Sequence, residues 1–327
     1  MRIRDEEEQP VFVVEKKKVV LKLKKLTDGE KRMIKVIAAD MDGTLLNPEH
    51  TLSDATYRTI LDAQKAGYRF LIATGRDYPS AVGVLEKWNL KCDFITGSGA
   101  EIRDTKGKIL QTIEMDRKWF REIYDCAVAA GGSVRFCAGG IDYLIGDPKT
   151  AEQQILEESR LFLGDGSDEE IRNMELFQQI LKRIRCLRNV EEVLEKEIPV
   201  YKIFITAKGK TEAEAIWKEM ERFPKLAIAS SFFNNVELTH EDAQKGKAIE
   251  QYITSLGYKR DEVMVLGDSM NDLSMFRQGF GAAVAMGNAE PVIREAAGYV
   301  TLSNAQDGAA YAMRLLMEGR LGEIQKG

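Results

Sequence analysis

Histidine and cysteine are scarce in this chain, which has 327 residues but only two histidines and four cysteines. The cysteines have no metal-ligand spacing and are Cys92, Cys126, Cys137 and Cys186. We expect them to pack as small apolar residues in the reducing cytoplasm, which is the location we predict for the protein. His50 and His240 fit solvated loop positions better than catalytic ones. The scarcity argues against zinc chemistry and against catalysis by histidine.

The chain also lacks an excess of positive charge and any long apolar run. Its formal net charge is -5, and no run approaches the ~20 apolar residues of a membrane helix. Asp5 to Glu8 stand where a signal peptide would need apolar residues. We therefore expect neither a membrane nor a nucleic-acid partner. The length and a hydrophobic content of 44% predict a soluble globular protein of two domains.

Residues 1–33 differ in composition from the rest of the chain, and we predict that they form an N-terminal extension. An acidic cluster gives way to Val11–Val14, a lysine triplet and an alternating run, Val19–Leu26. The alternation is typical of an exposed strand, which could pair with Val11–Val14 in a hairpin. A basic strip that binds nucleic acid or anionic lipid is the alternative to a solvated edge.

The stretch from Ile34 to Thr44 organises the rest of the chain. Five of the six residues from Ile34 to Ala39 are apolar, which predicts a buried strand of a parallel sheet. The strand ends in Asp40-Met41-Asp42-Gly43-Thr44, where open α/β sheets bind ligands. Two carboxylates there would repel each other unless a cation or a proton shared the site. An acidic turn that caps a helix is the alternative.

Strands and helices alternate from Ile34 up to a hairpin near residue 111, and they alternate again from Lys245 onwards. The segment between has helices beside paired strands, which indicates an α+β layer. A charged region from Lys149 to Leu187 is predicted to be helical or irregular. We therefore predict an α/β protein with a parallel-sheet core (34–111 and 235–327) and an inserted α+β domain (112–234).

Three predicted core strands end in polar clusters, and the ends of parallel strands lie at one edge of a sheet. The clusters contain Asp40 and Asp42, Thr74, and Asp268 with Asn271 and Asp272. Carboxylates without matching histidine or cysteine form a hard oxygen site, which favours Mg²⁺ over zinc. The Thr74 hydroxyl and the Lys245 ammonium add donors suited to an anion. Such donors beside a magnesium site indicate phosphate.

The ordered motifs resemble those of a known superfamily. Asp40-Met-Asp-Gly-Thr, Thr74-Gly-Arg, Lys245-Gly-Lys and Gly267-Asp-Ser-Met-Asn-Asp resemble the four motifs of haloacid dehalogenase (HAD) superfamily phosphatases. The large insertion between the second and third motifs resembles the Cof-type subfamily with a type 2 cap. The tail segments Met286-Gly-Asn-Ala and Ser303-Asn-Ala-Gln-Asp-Gly are similar to those that close this subfamily. The resemblance covers Ile34 to Met317.

The resemblance implies a Rossmannoid core, a cap domain and a Mg²⁺-dependent phosphomonoester hydrolase. Its substrates would be small phosphorylated metabolites such as sugar phosphates, nucleotides or cofactor phosphates. Asp40 would form an aspartyl-phosphate, and Asp42 would protonate the leaving oxygen and later deprotonate water. The side chains of Asp40 and Asp268 and the backbone carbonyl of Asp42 would hold the metal. Asp272 would orient the metal's ligands. The phosphoryl oxygens would be held by Thr74, Gly75, Lys245 and Asn271.

Structural alternatives stay open for several of these residues. Thr74 could be a strand-end hydroxyl bonded to backbone, Lys245 a surface lysine and Asn271 a helix cap. Asp272 fits a structural role equally well. Lys245 is an unusual structural choice, however, because a cation at a helix start opposes the macrodipole. The subfamily usually has Asn-Gly-Ala where this chain has Ser98-Gly-Ala, which bears on contacts near the leaving group.

Two other functions are compatible with the same motifs. A phosphotransferase or phosphomutase of the superfamily would pass the phosphoryl group to a hydroxyl instead of water. A non-catalytic regulatory protein would bind phosphate without turnover. The second alternative predicts loss of Asp40 or Asp42, and both are present. Since the core residues contact only the phosphoryl group, we expect substrate preference to reside in residues 112–234.

Overall fold

The computed structural model describes residues 33–163, 166–231 and 233–324. The hairpin predicted before Met33 lies outside the described residues. The strands are β1 (Val36–Ala39), β2 (Arg69–Ala73), β3 (Asp93–Thr96), β4 (Glu101–Arg103), β5 (Ile109–Thr112), β6 (Ser133–Ala138), β7 (Ile141–Ile145), β8 (Ile184–Leu187), β9 (Lys202–Thr206), β10 (Leu226–Ala229), β11 (Asn235–His240), β12 (Val263–Gly267), β13 (Ala282–Ala285) and β14 (Tyr299–Val300).

Helices connect most of these strands. They are α1 (Asp54–Lys65), α2 (Tyr78–Leu85), α3 (Phe120–Ala129), α4 (Pro148–Leu163), α5 (Asp168–Asn173), α6 (Glu175–Arg183), α7 (Glu191–Glu195), α8 (Lys210–Met220), α9 (Lys245–Ser255), α10 (Leu273–Arg277), α11 (Pro291–Ala296) and α12 (Gly308–Met317). Short turns at Met41–Leu45, Gly97–Gly99 and Met270–Asp272 come after β1, β3 and β12. Among the described residues, no helix is both long enough and apolar enough to cross a membrane.

The first sheet has the strand order β14-β13-β12-β1-β2-β3-β4-β5. It is parallel from β14 to β3, and the β3–β4 and β4–β5 pairs are antiparallel. Every residue of β1 and β12 is buried, which explains their continuous apolar runs. Residues of α1, α9, α10 and α12 share one hydrophobic core with these strands. The parallel core predicted from the alternating pattern is therefore confirmed.

The second sheet has the strand order β10-β11-β9-β6-β7-β8 and is antiparallel except for the β7–β8 pair. It packs against α3 and α8 around a hydrophobic core of its own. A smaller apolar cluster joins β7 to α4, α5 and α6. The predicted fold class, a parallel α/β core with an inserted α+β layer, is confirmed by the two sheets.

Two details of the inserted layer differ from the sequence analysis. Residues 184–187, in the region predicted to be helical or irregular, form β8 at the edge of the second sheet. The strand β11 pairs with β9 in that sheet, so the second sheet extends past the predicted boundary at residue 234. An apolar alternation predicts a strand but does not tell which sheet the strand joins.

Candidate active site

Three neighbouring parallel strands bring the predicted polar clusters to one edge of the first sheet. Ala39 of β1 lies opposite Ile72 of β2 and Leu266 of β12. The residues just after these strands include Asp40, Thr74 and Asp268, respectively. Helix α9 contributes Lys245 at its first residue, and the turn after β12 contributes Asn271 and Asp272. The structure thus brings together residues that are more than 200 positions apart.

Lys245 is the cation at the centre of this cluster and is completely buried. Its Nζ donates to Asp40 Oδ1 at 2.6 Å and to Asp272 Oδ1 at 2.7 Å. A third bond, of 3.2 Å, joins it to Asn271 Oδ1. Burial alone would lower the pKa of Lys245, but the two carboxylates raise it overall. Lys245 is therefore a buried ammonium ion, which excludes the surface-lysine alternative.

Asp40 and Asp268 lie where burial and neighbouring carboxylates disfavour their charged forms, although Lys245 is close by. Burial raises the pKa of Asp40 well above its ordinary value, and Asp272 adds to the rise while Lys245 opposes it. Burial, followed by the nearby Asp272, raises the pKa of Asp268 to about 7, although the Thr44 hydroxyl donates to it at 2.8 Å. Oxygens of Asp40, Asp268 and Asp272 lie within 4.8 Å of one another. A hard cation would relieve this repulsion.

Asp272 differs from the other two carboxylates because the protein already uses both of its oxygens. One oxygen accepts from the backbone N–H groups of Asp268 and Ser269, at 2.8 and 3.1 Å. The other accepts from Lys245. Asp272 is fully buried and therefore holds the Asp268 loop and the Lys245 ammonium in place. This geometry fits the orienting role that the resemblance implies for it.

Asp42 lies in the same loop as Asp40 but its side chain has a different partner. Arg76 donates from Nε and Nη2 to the two oxygens of Asp42, each at 2.7 Å. His50 Nδ1 lies 3.6 Å from Asp42 Oδ1. Burial would raise the pKa of Asp42, but the bonds from Arg76 and the nearby His50 imidazole lower it overall. Asp42 is therefore an ionised carboxylate in this arrangement.

Gly43 keeps the Asp40 loop close to Asp268. Its φ is +78°, and a Cβ at this position would overlap the Asp268 carboxylate. The two tail segments also contact this loop: Asn288 Nδ2 donates to Gly43 O at 2.9 Å, and Asn304 Nδ2 donates to Leu46 O at 2.9 Å. The tail segments therefore help to fix the backbone of the loop that follows β1.

The anion-binding candidates line the other side of the cluster. Thr74 is buried, and its Oγ1 accepts from the backbone N–H of Arg76 at 3.1 Å, which leaves its own hydrogen available to another acceptor. Asn271 Oδ1 accepts from Lys245 and from Ser269 Oγ, at 3.2 and 2.9 Å. Its Nδ2 would lie 3.4 Å from a Cβ placed on Gly75. Asn271 therefore lies beside Gly75, and Lys245 connects Asn271 to Asp40.

A cavity of about 190 Å³ extends from the Gly75 loop to the second sheet. Its lining includes residues in or next to β6, β7, β9 and α6 that the sequence analysis did not propose as site residues: Arg135, Cys137, Asp142, Ile180, Arg183, Tyr201, Lys202 and Phe204. Arg135 donates to Asp142 at 3.3 Å and contacts Glu158 at 3.0 Å, and Arg183 pairs with Asp77. No motif marks these residues, because they come from separate elements of the inserted layer.

Ser98 occupies an unusual backbone conformation beside this cavity. Its φ is +60° and its ψ is +25°, a region that asparagine adopts more readily than serine. Its N–H donates to Thr74 O at 3.0 Å, and its Oγ lies 3.4 Å from Glu237 Oε2. The hydroxyl therefore contacts β11 of the second sheet. Sequence reasoning assigned Ser98 to the surroundings of the leaving group and did not identify Glu237.

Comparisons with known proteins find similar sequences over most of the chain. The family model described as haloacid dehalogenase-like hydrolase matches residues 37–313. Phosphatase YwpJ of Bacillus subtilis (strain 168) is 28% identical over 286 residues, which cover 87% of this chain and 100% of that protein. The 5-amino-6-(5-phospho-D-ribitylamino)uracil phosphatase YcsE of the same organism is 30% identical over 288 residues, covering 86% of this chain and 95% of that protein.

A solved structure gives the same result. The structure of a haloacid dehalogenase-like hydrolase from B. subtilis superposes with a TM-score of 0.75 at 28% identity. The match covers 86% of this chain and 99% of that chain. The similarity therefore extends over both sheets and is not confined to the edge that carries Asp40.

Proposed function

Because the chain belongs to the haloacid dehalogenase-like hydrolase family and is a phosphatase of that family, we propose that it hydrolyses small phosphomonoesters through an aspartyl-phosphate on Asp40, with Mg²⁺ as its cofactor. The buried position of Asp40, between Lys245 and Asp268 at the end of β1, carries this proposal. A carboxylate in that position can reach a phosphoryl group held by Thr74, Gly75, Lys245 and Asn271.

The carboxylates fit a hard divalent cation. Burial raises the pKa values of Asp40 and Asp268, and the nearby Asp272 raises them further. The proposed ligands are the side chains of Asp40 and Asp268 and the backbone carbonyl of Asp42. When bound, Mg²⁺ would neutralise charge on the carboxylates and the phosphate. Asp272 would act indirectly, since its oxygens already bind Lys245 and the Asp268 loop.

The proposed reaction has two steps. An oxygen of Asp40 attacks phosphorus, the bond to the leaving oxygen breaks, and protonated Asp42 gives that oxygen its proton. Water then attacks the aspartyl-phosphate and gives a proton back to Asp42, which frees phosphate and Asp40. The bidentate pair with Arg76 keeps Asp42 ionised, so Asp42 can hold a proton only after these two bonds have broken. Rearrangement of Arg76 therefore has to accompany substrate binding.

We further propose that the second sheet and its helices form a cap over this site. Arg135 of β6, Lys202 of β9 and Tyr201 just before β9 line the cavity beside Gly75, where a leaving group would lie. On this assignment, the extension is residues 1–33, the core is 34–112 and 241–327, and the cap is 113–240. The cap would exclude water from the reaction and select the leaving group.

The proposed substrates are small phosphorylated metabolites such as sugar phosphates, nucleotides or cofactor phosphates. Two relatives with phosphatase names, one of them named for a phosphorylated ribitylamino-uracil, support a small organic leaving group.

We propose a cytoplasmic location, which the four free thiols support. No nucleic-acid partner is proposed, because the chain has no basic excess.

A phosphatase screen across metabolite classes tests the proposal. The purified protein is assayed with Mg²⁺ and again with excess EDTA, and phosphate release is measured. Asp40→Asn is the inactive variant, and Asp62→Asn, which changes an exposed aspartate of α1, is the matched control. We expect Mg²⁺-dependent release by the wild-type protein and the control but not by Asp40→Asn. Equal release by Asp40→Asn would contradict the proposed nucleophile.

A further inference from the structure

Lys202 is a residue of the proposed cap that directly contacts the proposed phosphate-binding loop of the core. It is the first residue of β9, and it is 9% exposed. Its Nζ donates to the backbone carbonyl of Gly75 at 2.8 Å. Its second bond, of 3.0 Å, is to Glu237 Oε2 on the neighbouring strand β11. A cation of the second sheet is thus bonded to the backbone of the residue next to Thr74.

The peptide group between Gly75 and Arg76 connects Lys202 to the Thr74 hydroxyl. The carbonyl of this peptide accepts from Lys202, and its N–H donates to Thr74 Oγ1 at 3.1 Å. One rigid plane therefore holds both bonds. Because Thr74 Oγ1 accepts from this N–H, its own hydrogen is directed elsewhere. Loss of the bond from Lys202 removes one of the two bonds made by this peptide group, so the orientation of the Thr74 hydroxyl becomes less constrained.

Glu237 fixes the position of Lys202 in turn. Its Oε1 accepts from Ser231 Oγ at 2.5 Å, and its Oε2 accepts from Lys202. Burial would raise the pKa of Glu237, but Lys202 and the Ser231 hydroxyl lower it overall. Glu237 is therefore an ionised, buried carboxylate that keeps the Lys202 ammonium next to the loop. Ser98 Oγ, 3.4 Å away, joins the same group from the core side.

We propose that Lys202 is a positioning residue: by holding the Gly75 carbonyl, it sets the Thr74 hydroxyl for phosphoryl binding and makes the loop competent when the cap is seated. This inference rests on the proposed phosphatase function. It predicts that substitution of Lys202 weakens binding of the phosphoryl group, whichever leaving group the substrate carries. It also gives the cap a role in phosphate binding besides selection of the leaving group.

The competing explanation is that Lys202 only neutralises the buried Glu237. Both explanations predict that Lys202→Met is destabilised, because it leaves Glu237 as a buried, unpaired charge. The double variant Lys202→Met/Glu237→Gln separates them, since it removes both charges and keeps both side-chain shapes. Replacement of both members of a buried pair costs little stability. Any loss of phosphate affinity that persists in the double variant is therefore caused by the lost bond to the Gly75 carbonyl.

The experiment measures inhibition by inorganic phosphate with 4-nitrophenyl phosphate as substrate and Mg²⁺ present. The proteins are the wild type, both variants of Lys202, and Lys210→Met as the matched control. Lys210 lies on α8, and its side chain is 74% exposed. Thermal unfolding of each protein is followed in parallel. The value of kcat/KM is also measured with a sugar phosphate that the wild type hydrolyses.

We expect the double variant to unfold within a few degrees of the wild type but to bind phosphate roughly 10- to 100-fold more weakly, the range for a lost bond to a charged donor. Its kcat/KM should fall by a similar factor with both substrates. Wild-type phosphate affinity in the double variant would overturn the inference, and so would a loss confined to the sugar phosphate. Absence of phosphate binding and hydrolysis in the wild type would overturn the proposed function and this inference together.

Discussion

Replacement of Lys245 by methionine should cost much more stability than replacement of its neighbour Lys247. Methionine keeps most of the apolar stem of lysine but removes the ammonium. In Lys245→Met, the carboxylates of Asp40 and Asp272 lose bonds of 2.6 and 2.7 Å. All three side chains are almost fully buried, so water does not replace these bonds.

The magnitude depends on the burial of this group. Removal of one partner from a buried ion pair costs about 3–5 kcal/mol, whereas a typical domain is stable by about 5–15 kcal/mol. Lys247 is the matched control: its side chain is 40% exposed, and its Nζ lies 3.1 Å from Asp242 Oδ1. The loss of an exposed pair is worth at most about 1 kcal/mol. The difference between the two variants is therefore expected to be about 3 kcal/mol.

Urea unfolding at pH 7 in EDTA, followed by circular dichroism, measures this difference. Unfolding is then repeated with Mg²⁺, which should stabilise Lys245→Met more than the wild type, since the cation would balance carboxylates that have lost the ammonium. At pH 5 the cost of Lys245→Met should be smaller, because Asp40, whose pKa is already raised, takes up a proton. Equal losses in Lys245→Met and Lys247→Met would refute the reasoning.

Four further predictions test other parts of the site. Asp42→Asn should slow turnover of a poor leaving group by roughly 10²–10⁴-fold, less so for an aryl phosphate, and equal slowing with both would contradict its acid role. Gly43→Ala should abolish activity because a Cβ meets the Asp268 carboxylate, and a fully active variant would disprove that contact. Ser98→Gly should raise the unfolding temperature, since glycine relieves the φ of +60° for a gain of about 1 kcal/mol, and a lower temperature would give the Glu237 contact more weight. Because the folded-state pKa of Glu237 is lowered, its ionised carboxylate stabilises the fold above its ordinary pKa of 4.5, and this stabilisation is lost as the pH falls through the folded-state pKa. The free energy of unfolding, measured as a function of pH, should therefore fall less in acid for Glu237→Gln than for the wild type, and an equal fall would contradict this role.

The candidate active site could be predicted because its polar residues come directly after strong strand signals. β1 and β12 are short apolar runs, and the carboxylates Asp40 and Asp268 come immediately after them. Parallel strands place such residues at one edge, so the cluster required no knowledge of side-chain positions. Lys245 was singled out by its motif and by its unfavourable place at a helix start. The structure adds that this ammonium is completely buried between two carboxylates.

Other features could not be predicted because their signals are local while their partners are distant. β8 is only four residues long and comes directly after the charged end of α6, so its alternation is too short to outweigh the helical pattern. β11 alternates like any strand, and only its pairing with β9 shows that it belongs to the second sheet. Arg76 comes after Thr74 and Gly75 in the motif, yet nothing in the sequence shows that its guanidinium binds Asp42.

The contacts of Lys202 show why the division between catalytic core and specificity cap is incomplete. Sequence reasoning assigned phosphoryl binding to motif residues and leaving-group selection to the inserted segment, because only the former carry recognisable spacing. Yet the Lys202 ammonium lies 2.8 Å from the Gly75 carbonyl, and Glu237 lies 3.4 Å from Ser98 Oγ. On the proposed function, a substitution in the second sheet would therefore alter phosphate affinity itself. Changes of substrate preference among variants of this chain have to be compared with their affinity for inorganic phosphate before they are assigned to leaving-group contacts.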